Sequence, residues 1–133
     1  MPTSSTSPGR ITLGGRLRSI GHALRGIADM LRTEHNAWVH AAATVAVCAL
    51  GAVLGLSRLE WALIALAIVS VWTAEALNTA IEVLTDVASP DFHPLAARVK
   101  DVAAGGVLIA AIGASVVGLL VLGPPLLRLL GRC

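Results

Sequence analysis

Four side chains near the middle of this 133-residue chain could do chemistry together: Glu75, Asn78, Glu82 and Asp86. They are spaced three, four and four residues apart. At about 100° per residue that puts them on one helical stripe roughly 80° wide. Thr79 borders the stripe, and the other faces are Ala, Leu, Ile and Val. Carboxylates in a row can hold a cation or take a proton. A polar stripe can also glue helices into an oligomer, as Asn and Thr often do. Stacked carboxylates repel one another and need cations, which favours the site over the glue.

The elements that must carry this stripe follow from composition. The chain is 56% hydrophobic and 14% charged, and its mean hydropathy is +0.80. Soluble domains carry roughly 25% charged residues. Here the missing charge leaves long uncharged stretches, the mark of a membrane protein. We expect an all-α membrane protein with one N-terminal amphipathic surface helix and three transmembrane helices. The spans are predicted at about 37–56, 60–86 and 101–122, each near the ~20 residues that cross a hydrocarbon core. His40 alone interrupts the first, and Pro124-Pro125 is expected to end the third.

Ahead of the spans, Leu13, Leu17, Ile20, Leu24, Ile27 and Leu31 recur at alternating spacings of four and three. This apolar stripe predicts a helix over about 13–35 lying in the membrane interface, with Arg16, Arg18, Arg25 and Arg32 on its other faces. Residues 1–12 are Ser/Thr/Pro-rich and read as a disordered tail, with no apolar region of a cleaved signal peptide. Residues 13–133 then form one domain. Cys48 and Cys133 have no metal-type spacing and imply no disulfide framework. The net charge of +2 and the scarcity of aromatics leave no footprint for nucleic acid.

Positive charge sets the orientation. Five arginines precede the first span, and Arg98 and Lys100 follow the second on the same side. That side is expected to be cytoplasmic, together with the N-terminus and the polar Ala88–Asp101 connection. Trp38 and Trp61 are expected at opposite interfaces as aromatic anchors. Depth then separates the members of the stripe. With Asp86 at the cytoplasmic surface, Glu75 lies about 16 Å further along the helix, inside the membrane. An uncompensated charge facing lipid there costs at least ~2.5–3.5 kcal/mol, so the stripe must face protein, metal or water. A stripe running from water into the bilayer suits a meeting of a water-soluble reagent with a lipid headgroup.

Other residues on that side could join it. Glu34, just before the first span, could hold a cation with Glu82, since Mg²⁺ is usually bound by one or two carboxylates plus water and phosphate. It could equally be a solvated charge beside Arg32. Lys100, the only lysine, could hold phosphate as a point charge or simply mark topology. Asp91-Phe92-His93 could contact a nucleotide or cap the turn. There is no GxxxxGK[ST] loop, so any nucleotide chemistry is not of the P-loop kind.

Glu75-Ala-Leu-Asn78-Thr-Ala-Ile-Glu82, followed by Asp86 and Lys100-Asp101-Val-Ala-Ala-Gly, resembles the small bacterial integral-membrane diacylglycerol kinases. The resemblance extends to Arg-Thr-Glu34-His-Asn upstream and covers the chain from about Leu17 to Leu122. Ser57-Arg-Leu-Glu-Trp61 and Ser89-Pro-Asp-Phe-His-Pro-Leu-Ala96 are similar to the undecaprenol kinase branch. The resemblance implies a lipid kinase of the bacterial cytoplasmic membrane. Its reaction is the ATP- and Mg²⁺-dependent phosphorylation of a lipid alcohol, undecaprenol or diacylglycerol. It implies a homotrimer with active sites shared between neighbours. Carried over by motif, Glu75 is the catalytic base, Asn78 supports it, and Glu34 and Glu82 are the metal ligands. Lys100, Asp101 and Asp91-Phe92-His93 contact ATP. Arg16 is a further phosphate contact, and His22 stands where several relatives carry an aromatic residue toward the nucleotide.

Such chemistry agrees with the physical reading. Phosphoryl transfer asks mainly for positioning and charge neutralisation, and a partly desolvated carboxylate is a better base toward a hydroxyl than an exposed one. The rival reading is a small proton- or cation-coupled transporter in which Glu75 binds the driving ion. Against it, the acidic stripe reaches only one membrane face. A third reading, a structural subunit whose stripe sets oligomer state, predicts lost stability and no activity to lose.

Overall fold

A computed structural model describes residues 12–131. They form four α-helices: α1 over Leu13–Thr33, α2 over His35–Leu54, α3 over Arg58–Ala88 and α4 over Pro94–Leu130. No strand occurs among the described residues. Three helices, α2, α3 and α4, are long and apolar enough to cross a membrane. Of the tail expected over residues 1–12, residues 1–11 lie outside the described residues, as does Cys133, while Thr12 caps α1.

Helix α1 starts at Thr12, whose hydroxyl accepts from the Gly15 amide at 3.2 Å. Leu13, Leu17, Ile20, Leu24 and Ile27 stay exposed along one stripe, while Met30 at the C-terminal end is buried. An amphipathic helix that leaves its apolar side uncovered suits a membrane interface. Only Glu34 separates α1 from α2, so the turn pins that carboxylate at the head of the first span.

Helix α2 stops at Gly55, which adopts the left-handed conformation (φ 67°, ψ 48°) that glycine reaches at no steric cost. Ser57 then caps α3 reciprocally with Glu60. The Glu60 carboxylate accepts from the Ser57 amide at 2.7 Å, and the Ser57 hydroxyl accepts from the Glu60 amide at 3.4 Å. Trp61, expected at an interface as an anchor, is half-buried against Gly51. A Cβ on Gly51 would stand 3.0 Å from the Trp61 ring. Trp38 is exposed.

Two boundaries differ from expectation. Helix α4 begins at Pro94, not near residue 101, because His93 accepts from the Leu95 amide at 3.2 Å and proline fits the first helical turn. The polar connection therefore shrinks to residues 89–93, and Arg98, Lys100 and Asp101 sit on a helix. Nor do Pro124 and Pro125 end the last helix, which continues to Leu130. Proline removes the amides that would reach Leu120 and Val121, but its fixed φ is helical. Apolar residues on both sides of the pair, Leu122 and Leu126, line one groove against the neighbouring helices, so the course is kept.

Candidate active site

Helix α3 positions the stripe. Glu75 and Asn78 are its buried polar residues, 1% and 5% exposed, in a helix whose other buried residues are Ile64 and Val71. They face a cleft of about 270 Å³ together with Glu82 from the same helix. Glu34 and Asn36 close it from the start of α2, as do Val39 and His40 one turn on. The wall from α4 is apolar: Ala104, Val107, Leu108 and Ala111. A larger groove of about 670 Å³ between α3 and α4 shares Asn78 but carries no carboxylate. The carboxylates therefore share the smaller cleft.

Within the cleft Asn78 Nδ2 donates to Glu82 Oε1 at 2.9 Å, the contact that four-residue spacing on a helix allows. Thr79, beside the stripe, returns its hydroxyl to the Glu75 carbonyl at 3.0 Å. Both Glu75 carboxylate oxygens and Asn78 Oδ1 are buried and accept no hydrogen bond among the described residues. Buried acceptors are normally satisfied, because leaving one bare costs about 1–3 kcal/mol. Three bare acceptors in one cleft are therefore oriented for something other than the fold.

The structure divides the sequence-derived set. Glu34, Glu75, Asn78 and Glu82 come together on one cleft. Asp86, on the same stripe, turns away to pair with Lys100 across the α3–α4 turn. Asp91, Phe92 and His93 lie in that turn, with Phe92 87% exposed. There the His93 ring caps α4, and the Asp91 carbonyl accepts from the Ser89 hydroxyl at 3.1 Å. Asp101 is exposed on the first turns of α4. Arg16 and His22 are exposed on α1, and His22 Nδ1 lies 3.1 Å from Arg25 Nη2. None of these eight outlying residues, Lys100 among them, lines the cleft.

Two cleft residues escaped the sequence reading. His40 Nε2 lies 3.8 Å from Glu75 Oε2. The only signal was its isolation: His40 is the lone ionisable group inside an apolar span, at a depth comparable to that of Glu75. Asn36, beside the cleft mouth, was also missed, since a lone Asn at a helix start has no distinguishing pattern.

A divalent cation can be tested against this donor set. Glu34 and Glu82 face the same cleft, and the hydrogen bond from Asn78 occupies one oxygen of Glu82. Two carboxylates with water and phosphate match the usual surroundings of Mg²⁺. Among the described residues no three His, Cys, Asp or Glu form a closed metal cage. Glu34 and Glu82 are the residues that would hold such a cation, with phosphate and water completing its shell.

Comparison with known proteins agrees with the geometry. The family model described as "Prokaryotic diacylglycerol kinase" matches residues 21–122. The chain is 44% identical over 109 residues to the undecaprenol kinase of Bacillus subtilis (strain 168), covering 82% of this chain and 89% of that one. It is 39% identical over 115 residues to the diacylglycerol kinase of Synechocystis sp. (strain ATCC 27184 / PCC 6803 / Kazusa), covering 86% of this chain and 66% of that one. The matched segment holds every cleft residue. The chain belongs to the prokaryotic diacylglycerol kinase family of membrane lipid kinases, and its similarity extends to that family's undecaprenol kinase-like branch.

Proposed function

We propose that the protein transfers the γ-phosphoryl group of ATP, with Mg²⁺, to the hydroxyl of undecaprenol or diacylglycerol at the cytoplasmic face of the bacterial inner membrane. The observation that carries this reading is the buried Glu75 carboxylate, which accepts no hydrogen bond among the described residues and shares a cleft with Glu34 and Glu82. Family membership supplies the reaction class and weighs against the transporter reading.

Each residue then has a task. Glu75 accepts the proton of the lipid hydroxyl as that oxygen bonds to the γ-phosphorus and ADP departs. Asn78 holds Glu82 in register. Glu34 and Glu82 hold Mg²⁺, which supplies positive charge against the phosphates when bound. Lys100 adds a point charge after exchanging Asp86 for phosphate, while Asp101 and Asp91-Phe92-His93 meet the nucleotide from the α3–α4 turn. Arg16 and His22 approach from α1, which floats in the interface where lipid enters. The apolar faces left exposed on the spans fit a homotrimer with sites shared between neighbours.

The test is a phosphorylation assay on the purified chain in mixed micelles, with MgATP and each lipid offered in parallel. Phosphorylated lipid is expected from at least one of them, and a strong preference assigns the acceptor. ATP-independent, proton-driven uptake by reconstituted vesicles without lipid phosphate would contradict the proposal.

A further inference from the structure

Glu75 has a problem that its burial creates. A base that is 1% exposed can take a proton but meets little solvent to which it can release it directly. The nearest ionisable side chain is His40, with Nε2 3.8 Å from Glu75 Oε2. The imidazole is 16% exposed against 1% for the carboxylate, and it lines the cleft with Glu34 and Asn36.

The backbone that carries the ring is braced between two helices. Trp72 Nε1 on α3 donates to Thr44 Oγ1 on α2 at 3.1 Å, and the same hydroxyl donates to the His40 carbonyl at 2.8 Å. The Trp72 ring meets the imidazole edge-on, with centroids 6.5 Å apart and planes at 68°. Aromatic pairs favour this arrangement over a flat sandwich. The His40 backbone is thus tied to α3 through Thr44 and Trp72, and the imidazole lies between the Trp72 ring edge and the Glu75 carboxylate.

We infer that His40 is the proton relay of this site, taking from Glu75 the proton that Glu75 has taken from the lipid hydroxyl and passing it to water at the cleft mouth. The inference rests on the kinase reading above. In each turnover the O–H bond of the acceptor breaks, its oxygen bonds to phosphorus, and the bond to the ADP oxygen breaks. The proton goes to a Glu75 oxygen, then to Nε2 of neutral His40, and leaves as the imidazolium returns to neutral. A separation of 3.8 Å is ion-pair range rather than a hydrogen bond, so the transfer runs through one water or a small turn of the ring. The charged groups on the cleft are Glu34 at the α1–α2 junction and Glu75 and Glu82 from α3, while its α4 wall is apolar. His40 touches no substrate. It is a positioning residue that acts through Glu75.

The test compares His40→Gln and His40→Ala with the wild type in the micelle assay, using helicity by circular dichroism as the folding control. Gln keeps the size and hydrogen bonding of the ring but cannot carry the proton. We expect kcat to fall about 10²-fold in both variants, the lower range for proton-transfer catalysis, with KM for MgATP unchanged. Added imidazole should restore turnover to His40→Ala. A His40→Gln kcat within about twofold of wild type overturns the relay. So does loss of MgATP affinity in step with kcat, which marks a structural role, and so does a folded, MgATP-binding His40→Ala that imidazole leaves unchanged. Should His40→Ala not fold, His40→Gln decides alone. Absence of lipid phosphorylation by the wild type would instead contradict the kinase reading.

Discussion

At Glu75 and Asn78, three buried oxygens lack donors in a protein interior that otherwise satisfies its polar groups. Their burial in a span otherwise rich in Ala, Leu, Ile and Val makes the cleft a place of charge inside an apolar surround. The spacing of the stripe made these residues legible, because one helix face can be read from one segment. His40 was not legible as a partner: it stands 35 positions away, and nothing local says which face of α2 meets α3. Lys100 and Asp86 were legible as neighbours on one side of the membrane, but their pairing depends on the short α3–α4 turn. One consequence at this scale concerns Asn78, whose amide fixes Glu82 at 2.9 Å. Groups that orient metal ligands typically carry 10–100-fold of metal affinity. Asn78→Leu should therefore raise the Mg²⁺ concentration for half-maximal activity by about tenfold or more, read from a Mg²⁺ titration at saturating ATP.

Helices were easier to read than their ends. The apolar runs placed α2, α3 and α4 because hydropathy integrates over many residues. Local cap chemistry then moved the boundaries: His93 and Pro94 start α4 early, and the proline pair at 124–125 lies within a helix that packs on both sides of it. The α2–α3 turn depends on close packing that no pattern announced. A Cβ at Gly51 would come within 2.9 Å of Leu56 Cδ1 and 3.0 Å of Trp61 Cη2. The leucine tip can move aside, but the indole is set by the first turn of α3. Gly51→Ala should cost about 1–3 kcal/mol, the usual penalty of overpacking, seen as an earlier thermal transition in detergent. Its ATP and lipid KM should stay near wild type, since Gly51 lies at the membrane end opposite the cleft.

The whole molecule is a thin bundle whose site opens at one end. With ~1.5 Å per residue, α3 and α4 are longer than a hydrocarbon core of ~30 Å requires, so their facing ends project together around the 89–93 turn. The arginine-rich α1 and the Arg98–Lys100 stretch of α4 lie at that same end, which the positive-inside rule would make the cytoplasmic one. We predict that a cysteine placed at Phe92 reacts with a membrane-impermeant maleimide only after cells are permeabilised. A cysteine at Ser57 should react in intact cells. The reverse pattern would put the cleft on the wrong face for cytoplasmic ATP.

The central claim is that Glu75 is the base of a lipid kinase, and one comparison addresses it directly. Lipid phosphate formation from MgATP should be measured for wild type and Glu75→Gln in the same micelles, with MgATP affinity determined for both. Gln keeps the size of the side chain and removes its ability to take a proton. The account predicts that kcat falls about 10²–10⁴-fold, the usual share of acid–base catalysis, while MgATP affinity is retained. A Glu75→Gln enzyme that phosphorylates lipid at near the wild-type rate would contradict it.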